Sequence, residues 1–177
     1  IVKKLTIPFS SCLEIGVGSG CIALTLCLEN IINSMIGSDI SEDCLKVTKI
    51  NQIHHNVNNL VLLKHDILTE SFNQEFDLII SNLPYITKDE YHALPTHIKE
   101  FEPQIALTDF SDGLVFYQRF SNLLPNILAP NGVFICELGS QHLISAIKKI
   151  FCNAGYTVTV YNDLNEDPRF LVILPLA

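Results

Sequence analysis

The chain has 177 residues, 48% of them hydrophobic and 17% charged, which is enough for a sizeable core and too apolar for a disordered polymer. No apolar run approaches the roughly 20 residues a membrane-spanning helix needs, so no membrane partner is expected. The net charge of −8 repels phosphate backbones and argues against direct nucleic-acid binding.

The start, "IVKKLTIPFSSCLEIG", has no long apolar signal core and no initiator methionine, so a fragment of a longer chain is expected. "SCLEIG" (11–16) reads as a short buried strand ending at glycine, and "CIALTLCLEN" (21–30) as a helix. "SMIGSDI" (34–40) is the next strand. Ser41 then offers a helix cap, with Glu42 and Asp43 in the first turn where the helix dipole favours acids. That helix is expected to run to about Asn56. "LVLLKHD" (60–66) and "FDLIISN" (76–82) are the third and fourth strands.

An irregular stretch from Leu83 to about Asp112 carries Pro84, Pro95 and Pro103. A helix is expected from Gly113 to about Leu124, interrupted by Pro125. "APNG" (129–132) signals a turn, and "VFICEL" (133–138) a fifth strand. Ser140 to Ala154 reads as a helix stopped by Gly155. "YTVTVY" and "FLVILPL" read as a closing antiparallel hairpin.

Near-continuous apolar strands alternating with helices imply a mainly parallel sheet covered on both faces. Ligands of such α/β folds bind at the carboxyl ends of the strands. That rule singles out the loop from Gly16 to Gly20, then Asp39, Asp66 and Asn82. The six cysteines (12, 21, 27, 44, 136 and 152) form no C-x-x-C pair. They read mostly as reduced thiols in apolar surroundings, which fits the cytoplasm and no metal site.

In "EIGVGSGC", glycines at 16, 18 and 20 allow a tight turn and close approach of a ligand. A dinucleotide fingerprint is G-x-G-x-x-G; here the third glycine comes one residue early and position 21 is Cys. Asp39 follows by about 20 residues, where a carboxylate accepts from both ribose hydroxyls. Asp66 is placed to accept from an adenine amino group, with the Ile67 N–H toward a ring nitrogen. The plain alternatives are a strand-to-helix turn, a helix-start acid and a turn aspartate. Together the three strand ends describe a site for an adenosine without phosphates, the shape of S-adenosylmethionine. Glu14, Val17, Ser19, Ile40 and Asn82 complete the expected cofactor contacts.

"EIGVGSG", "SDIS", "HDIL" and "ISNLPYI" occur in the order found in class I S-adenosylmethionine methyltransferases. The tetrapeptide Asn82-Leu83-Pro84-Tyr85 resembles the [N/D]-P-P-[Y/F] motif of enzymes that methylate planar amide or amino nitrogens. "FEPQIAL" (101–107), "DGLVFYQRF" (112–120) and "CELG" (136–139) narrow the resemblance to the protein-(glutamine-N5) methyltransferases of the HemK/PrmC type, which modify peptide chain release factors. The resemblance covers nearly the whole chain from Cys12 onward. It implies a Rossmann-like, mostly parallel seven-stranded sheet with a C-terminal antiparallel hairpin, forming one methyltransferase domain over residues 1–177.

By the same resemblance Asn82 pairs with the substrate glutamine's amide, and the Leu83 carbonyl accepts from the same NH2. Pro84 stiffens the turn, and Tyr85 packs against the flat amide. An amide nitrogen is a poor nucleophile, so holding it in line is most of the task, worth up to ~7–11 kcal/mol in favourable systems. The implied partner is a release factor with a Gly-Gly-Gln motif; the implied state is a monomer without metal. Leu83 departs from the family, where proline is usual, and the family's N-terminal helical domain is absent from this sequence. Three alternatives stay open: a ribosomal-protein glutamine, an exocyclic amino group of a nucleic-acid base, or a non-catalytic cofactor-binding fragment. Glu137 ends the fifth strand without an assigned role. His54, His55, Glu100 and Glu102 read as solvent-facing or structural.

Overall fold

A computed structural model describes Val2 and residues 9–176. Seven of the 16 residues of the opening stretch that prompts the fragment expectation, residues 1 and 3–8, therefore lie outside the described residues. Apolar runs become strands and the segments between them helices. β1 (Phe9–Ile15) leads through the glycine loop to α1 (Cys21–Leu28), β2 (Ile32–Asp39), α2 (Glu42–His54) and β3 (Leu60–Lys64). β4 (Phe76–Ser81) follows, then three short helices, α3 (Lys88–Ala93), α4 (Thr96–Phe101) and α5 (Gln104–Leu107). The chain closes with α6 (Val115–Ile127), β5 (Leu128–Glu137), α7 (Ile144–Asn153), β6 (Tyr156–Asn162) and β7 (Pro168–Pro175).

The sheet order is β3-β2-β1-β4-β5-β7-β6. β1 pairs in parallel with β2 and β4, β2 in parallel with β3, and β6 with β7 antiparallel. This is the expected seven-stranded, mostly parallel sheet with a C-terminal hairpin. β1 and β4 are buried on both faces: Cys12 to Ile15 and Leu78 to Ser81 are all buried. β3 departs from that pattern, because an edge strand is covered on fewer sides; Val61 is 64% exposed.

The chain divides into two compact units, one of Ile1–Ser81 with Asn126–Phe134 and one of Asn82–Pro125 with Ile135–Ala177. In the first, Phe9, Leu13, Met35, Phe76, Leu78 and Ile79 are almost fully buried. In the second, Phe120, Leu124, Leu138, Ile147 and Phe151 play that part.

Four local expectations are corrected. Pro125 does not end its helix, which continues to Ile127. Leu124 and Ile127 are fully buried, and burying two such side chains, at about 1.5–3 kcal/mol each, offsets the ~3 kcal/mol cost of an interior proline. "APNG" is no turn but the start of β5, with Pro130 and Asn131 exposed. A Cβ on Gly132 would lie 2.9 Å from the Phe76 carbonyl oxygen, so glycine lets this strand approach closely. The irregular stretch contains three short helices; Pro95 and Pro103 each stand at a helix N-terminus, where a missing N–H costs nothing. Only half of the six free cysteines, Cys12, Cys27 and Cys136, are buried, while Cys21 and Cys152 are exposed. Burial pushes the Cys12 thiol up to about 12 and the Cys27 thiol to about 11, which leaves both un-ionised at neutral pH.

The helix read over Ser140 to Ala154 begins as a 3-10 turn, Gln141–Leu143, before α7. Among the described residues no helix is long and apolar enough to cross a membrane. Phe76 is fully buried at the start of β4, so Phe76→Ala is expected to lower unfolding free energy by about 3–5 kcal/mol in urea denaturation. Val61→Ala on the exposed edge strand should change it by no more than about 0.5 kcal/mol.

Candidate functional site

The first unit carries the glycine loop between β1 and α1. Gly16, Gly18 and Gly20 all have positive φ, at 78°, 55° and 84°. Gly20 also lacks room: a Cβ there would lie 2.7 Å from Thr48 Cγ2. Gly18 differs, since a Cβ there would meet nothing within 4 Å, and the loop's surface is open at that point. The amides of Gly16 and Val17 both donate to the Ser38 carbonyl, at 2.8 and 2.9 Å, and so tie the loop to β2.

Asp39 holds the loop from the end of β2. Its Oδ2 accepts from the Gly18 amide and its Oδ1 from the Ser41 amide, each at 2.9 Å. Each carboxylate oxygen retains a further lone pair for a ligand. Two α2 side chains do work that the sequence reading missed. Thr48 Oγ1 donates to the Gly18 carbonyl at 2.7 Å, and Asn51 Nδ2 to the Ser19 carbonyl at 2.9 Å. Their spacing of three residues puts both on one helix face, and this was their only trace in the sequence.

Asp66 follows β3 in a tight turn, accepting from the Leu68 amide and the Thr69 hydroxyl at 2.9 Å each. The preceding residue joins this turn to β2, since the His65 amide donates to the Asp39 carbonyl at 3.0 Å. Ile67 is buried and Ile40 is 46% exposed. The turn role of Asp66 is therefore real, and it coexists with free acceptor capacity.

Glu14 lies on β1, two residues before Gly16, and is only 2% exposed. Its Oε2 has no hydrogen-bond partner. Burial chiefly pushes its carboxyl up to about 8; the Ala23 amide opposes that rise and nearby Asp39 adds to it. The partner-free oxygen keeps its acceptor capacity close in sequence to the glycine loop.

The end of β4 is level with the end of β1. Ile15 pairs with Ser81, and the Ser81 hydroxyl donates to the Ile15 carbonyl at 3.0 Å. The residues that next leave the sheet are Gly16 and Asn82.

Asn82 opens the second unit and is exposed; Leu83, Pro84 and Tyr85 are half-buried. Tyr85 Oη donates to Glu137 Oε1 at 3.2 Å. Burial first, then the Glu137 charge and hydrogen bond, push the phenol up to about 12, so it is a donor at neutral pH. The following residues are pinned within the same unit. Ile86 N–H donates to the Leu107 carbonyl at 3.0 Å, and Thr87 forms a reciprocal cap with Glu90. Glu100, Glu102, His54 and His55 are exposed. Among the described residues no group of three His, Cys, Asp or Glu side chains is placed to hold a metal.

The profile of a family described as a methyltransferase domain matches residues 10–163. The chain belongs to that methyltransferase-domain family. A bifunctional methyltransferase of Rickettsia typhi is 39% identical over 173 residues, covering 97% of this chain and 33% of that protein. A release factor glutamine methyltransferase of Fusobacterium nucleatum is 34% identical, over 90% of this chain and 46% of that protein. A ribosomal protein uL3 glutamine methyltransferase of Xanthomonas campestris is 36% identical, over 78% and 45%. The chain thus spans a third to a half of the length of these relatives.

Among solved structures, a methyltransferase from Pyrococcus furiosus superposes with a TM-score of 0.70 at 20% identity, covering 97% of this chain and 77% of that one. The N-methyltransferase NodS from Bradyrhizobium japonicum, in complex with S-adenosyl-L-homocysteine, gives 0.64 at 14% identity, over 97% and 80%. The fold is that of the class I methyltransferases, as the sequence resemblance implies.

The raised Glu14 carboxyl makes stability depend on pH. The unfolded chain releases this proton near the ordinary 4.5, the folded chain only near 8, so rising pH favours unfolding across that window. The stabilisation is complete below about 4.5 and lost by about 8, and it amounts to a few kcal/mol, roughly. Differential scanning calorimetry at pH 5 and pH 8.5 should show a Tm falling by roughly 5–10 °C more in the native sequence than in Glu14→Gln.

Proposed function

We propose that residues 1–177 form the catalytic domain of an S-adenosylmethionine-dependent enzyme that methylates the side-chain amide nitrogen of a glutamine in the Gly-Gly-Gln motif of a release factor. The observation that carries this reading is the register of β1 and β4, from whose level ends the glycine loop and Asn82 depart. The names of the relatives support the substrate class, since they act on release factor or ribosomal protein glutamines.

The residues present suit the cofactor. Glu14 offers a buried, unpaired oxygen for its ammonium group, the open surface at Gly18 leaves room, and Asp39 retains lone pairs for ribose hydroxyls. Asp66 and the Ile67 backbone serve the adenine edge. When bound, the cofactor supplies a methyl group on a positively charged sulfur.

The protein's task is orientation. The Asn82 side-chain oxygen and the Leu83 carbonyl each accept one N–H of the glutamine amide. Two acceptors fix the plane and direction of the nitrogen, and they strengthen as positive charge grows on it. Tyr85 covers the flat amide and excludes water. Pro84 limits the freedom of the turn, and Leu83 in place of the family's proline leaves it one more rotatable φ. The enzyme works as a monomer in the cytoplasm, without metal and without direct nucleic-acid contact. A glutamine of ribosomal protein uL3 is the second reading, favoured by the 36% identity to the Xanthomonas relative.

The test uses methyl-labelled S-adenosylmethionine with a release factor, its Gly-Gly-Gln→Gly-Gly-Ala variant, protein uL3 and DNA. Label in the intact release factor alone is expected. Label in uL3 establishes the second reading, and label in DNA overturns both. Asn82→Ala is expected to reduce transfer by at least about 100-fold while cofactor affinity, measured by calorimetry, stays within about threefold. Transfer that persists removes Asn82 from the site.

A further inference from the structure

Glu137 ends β5 and Gly139 follows it by two residues, 52 and 54 positions beyond Tyr85, and neither has a role in the proposed methyl transfer. Both touch Tyr85, and by different means. Glu137 Oε1 accepts the phenol proton at 3.2 Å. Gly139 lies against the ring: a Cβ built there would clash with Cγ, Cδ2 and Cβ of Tyr85. No positive φ calls for glycine at 139, so contact alone demands it.

The segment holding these two residues is itself fixed. Tyr117 Oη donates to the Glu137 carbonyl at 3.0 Å and is hydrogen-bonded to the Gly139 backbone. Tyr117 is 5% exposed, so this clamp sits in the core of the second unit. A second strut runs beside it. Ser140 Oγ donates to Glu90 Oε1 at 2.7 Å, and Glu90 Oε2 accepts from the Thr87 amide at 2.9 Å. Gly113 closes the far side, where a Cβ would stand 2.8 Å from the Tyr85 carbonyl oxygen. The turn after β4 is thus gripped at its tyrosine ring, its phenol and its exit.

We propose that Glu137 and Gly139 are positioning residues for Tyr85, the carboxylate fixing the direction of the phenol and the bare α-carbon admitting the ring. They act through Tyr85 and touch neither substrate nor cofactor. The inference rests on the reading of Tyr85 as the cover of the substrate amide. It also explains how a turn with leucine at 83 keeps its shape: side-chain anchors replace the rigidity that a second proline would provide.

The kinetic test is a double-mutant cycle on transfer to the release factor. Tyr85→Phe and Glu137→Ala are each expected to lower kcat by about tenfold, with cofactor affinity unchanged. The double variant should be no slower than either single one, and Glu137→Gln, which keeps an acceptor, should recover most of the loss. Multiplying losses in the double variant, or full activity in Glu137→Ala, overturns the proposal.

A second cycle needs no substrate. Gly139→Ala should lower Tm by several degrees in the native sequence and leave it unchanged in a Tyr85→Ala background, where the clash is gone. Equal lowering in both backgrounds overturns the packing role. A chain that labels no substrate refutes the functional reading, while the melting cycle still decides the contact.

Discussion

The parallel pairing of β1 with β4 is the constraint on which the rest depends. Ile15 stands opposite Ser81, and the Ser81 hydroxyl on the Ile15 carbonyl holds that register at the strands' carboxyl ends. Both strands are buried on both faces, so a slip by one residue would move a complete set of apolar side chains and is strongly resisted. The chain runs outward from β1 to β2 and β3 on one side, then resumes at β4 on the other. That reversal of strand order is where α/β sheets open a crevice for ligands.

The loop leaving β1 is held by polar side chains more than by packing. Asp39, Thr48 and Asn51 bond its backbone from two neighbouring elements, which leaves its outer surface open at Gly18. Glu14 beneath it is the costly element. One oxygen of its buried carboxyl has no hydrogen-bond partner, and ionising that carboxyl in the folded chain costs free energy. In the second unit Asn82 is exposed, while the half-buried Tyr85 is held through its phenol by Glu137.

The strands and their ends were legible because both follow from local rules. Apolar runs ending at Gly16, Asp39, Asp66 and Asn82 gave strand ends within a residue or two. Pro125 and the "APNG" segment were misread for one shared reason. Local turn and proline preferences are worth a few kcal/mol at most; burial of Leu124 and Ile127 offsets that of Pro125, and Gly132 admits the close approach that keeps "APNG" in the strand. Thr48 and Asn51 left only a weak trace, since polar residues on a helix ordinarily face water. Glu137 drew notice as a strand-end acid, but nothing near it in sequence names its partner.

By itself, then, the sequence determined the alternating architecture, the glycine loop, the acids at the strand ends and the amide-bearing turn after β4, all of them readable within windows of about ten residues. Tertiary structure alone decided the burial of Glu14, the two α2 bonds to the glycine loop and the seating of Tyr85 on Glu137 and Gly139. These contacts join residues from 9 to 54 positions apart, and proximity across such distances is set by how the sheet is ordered and packed, which no local pattern records.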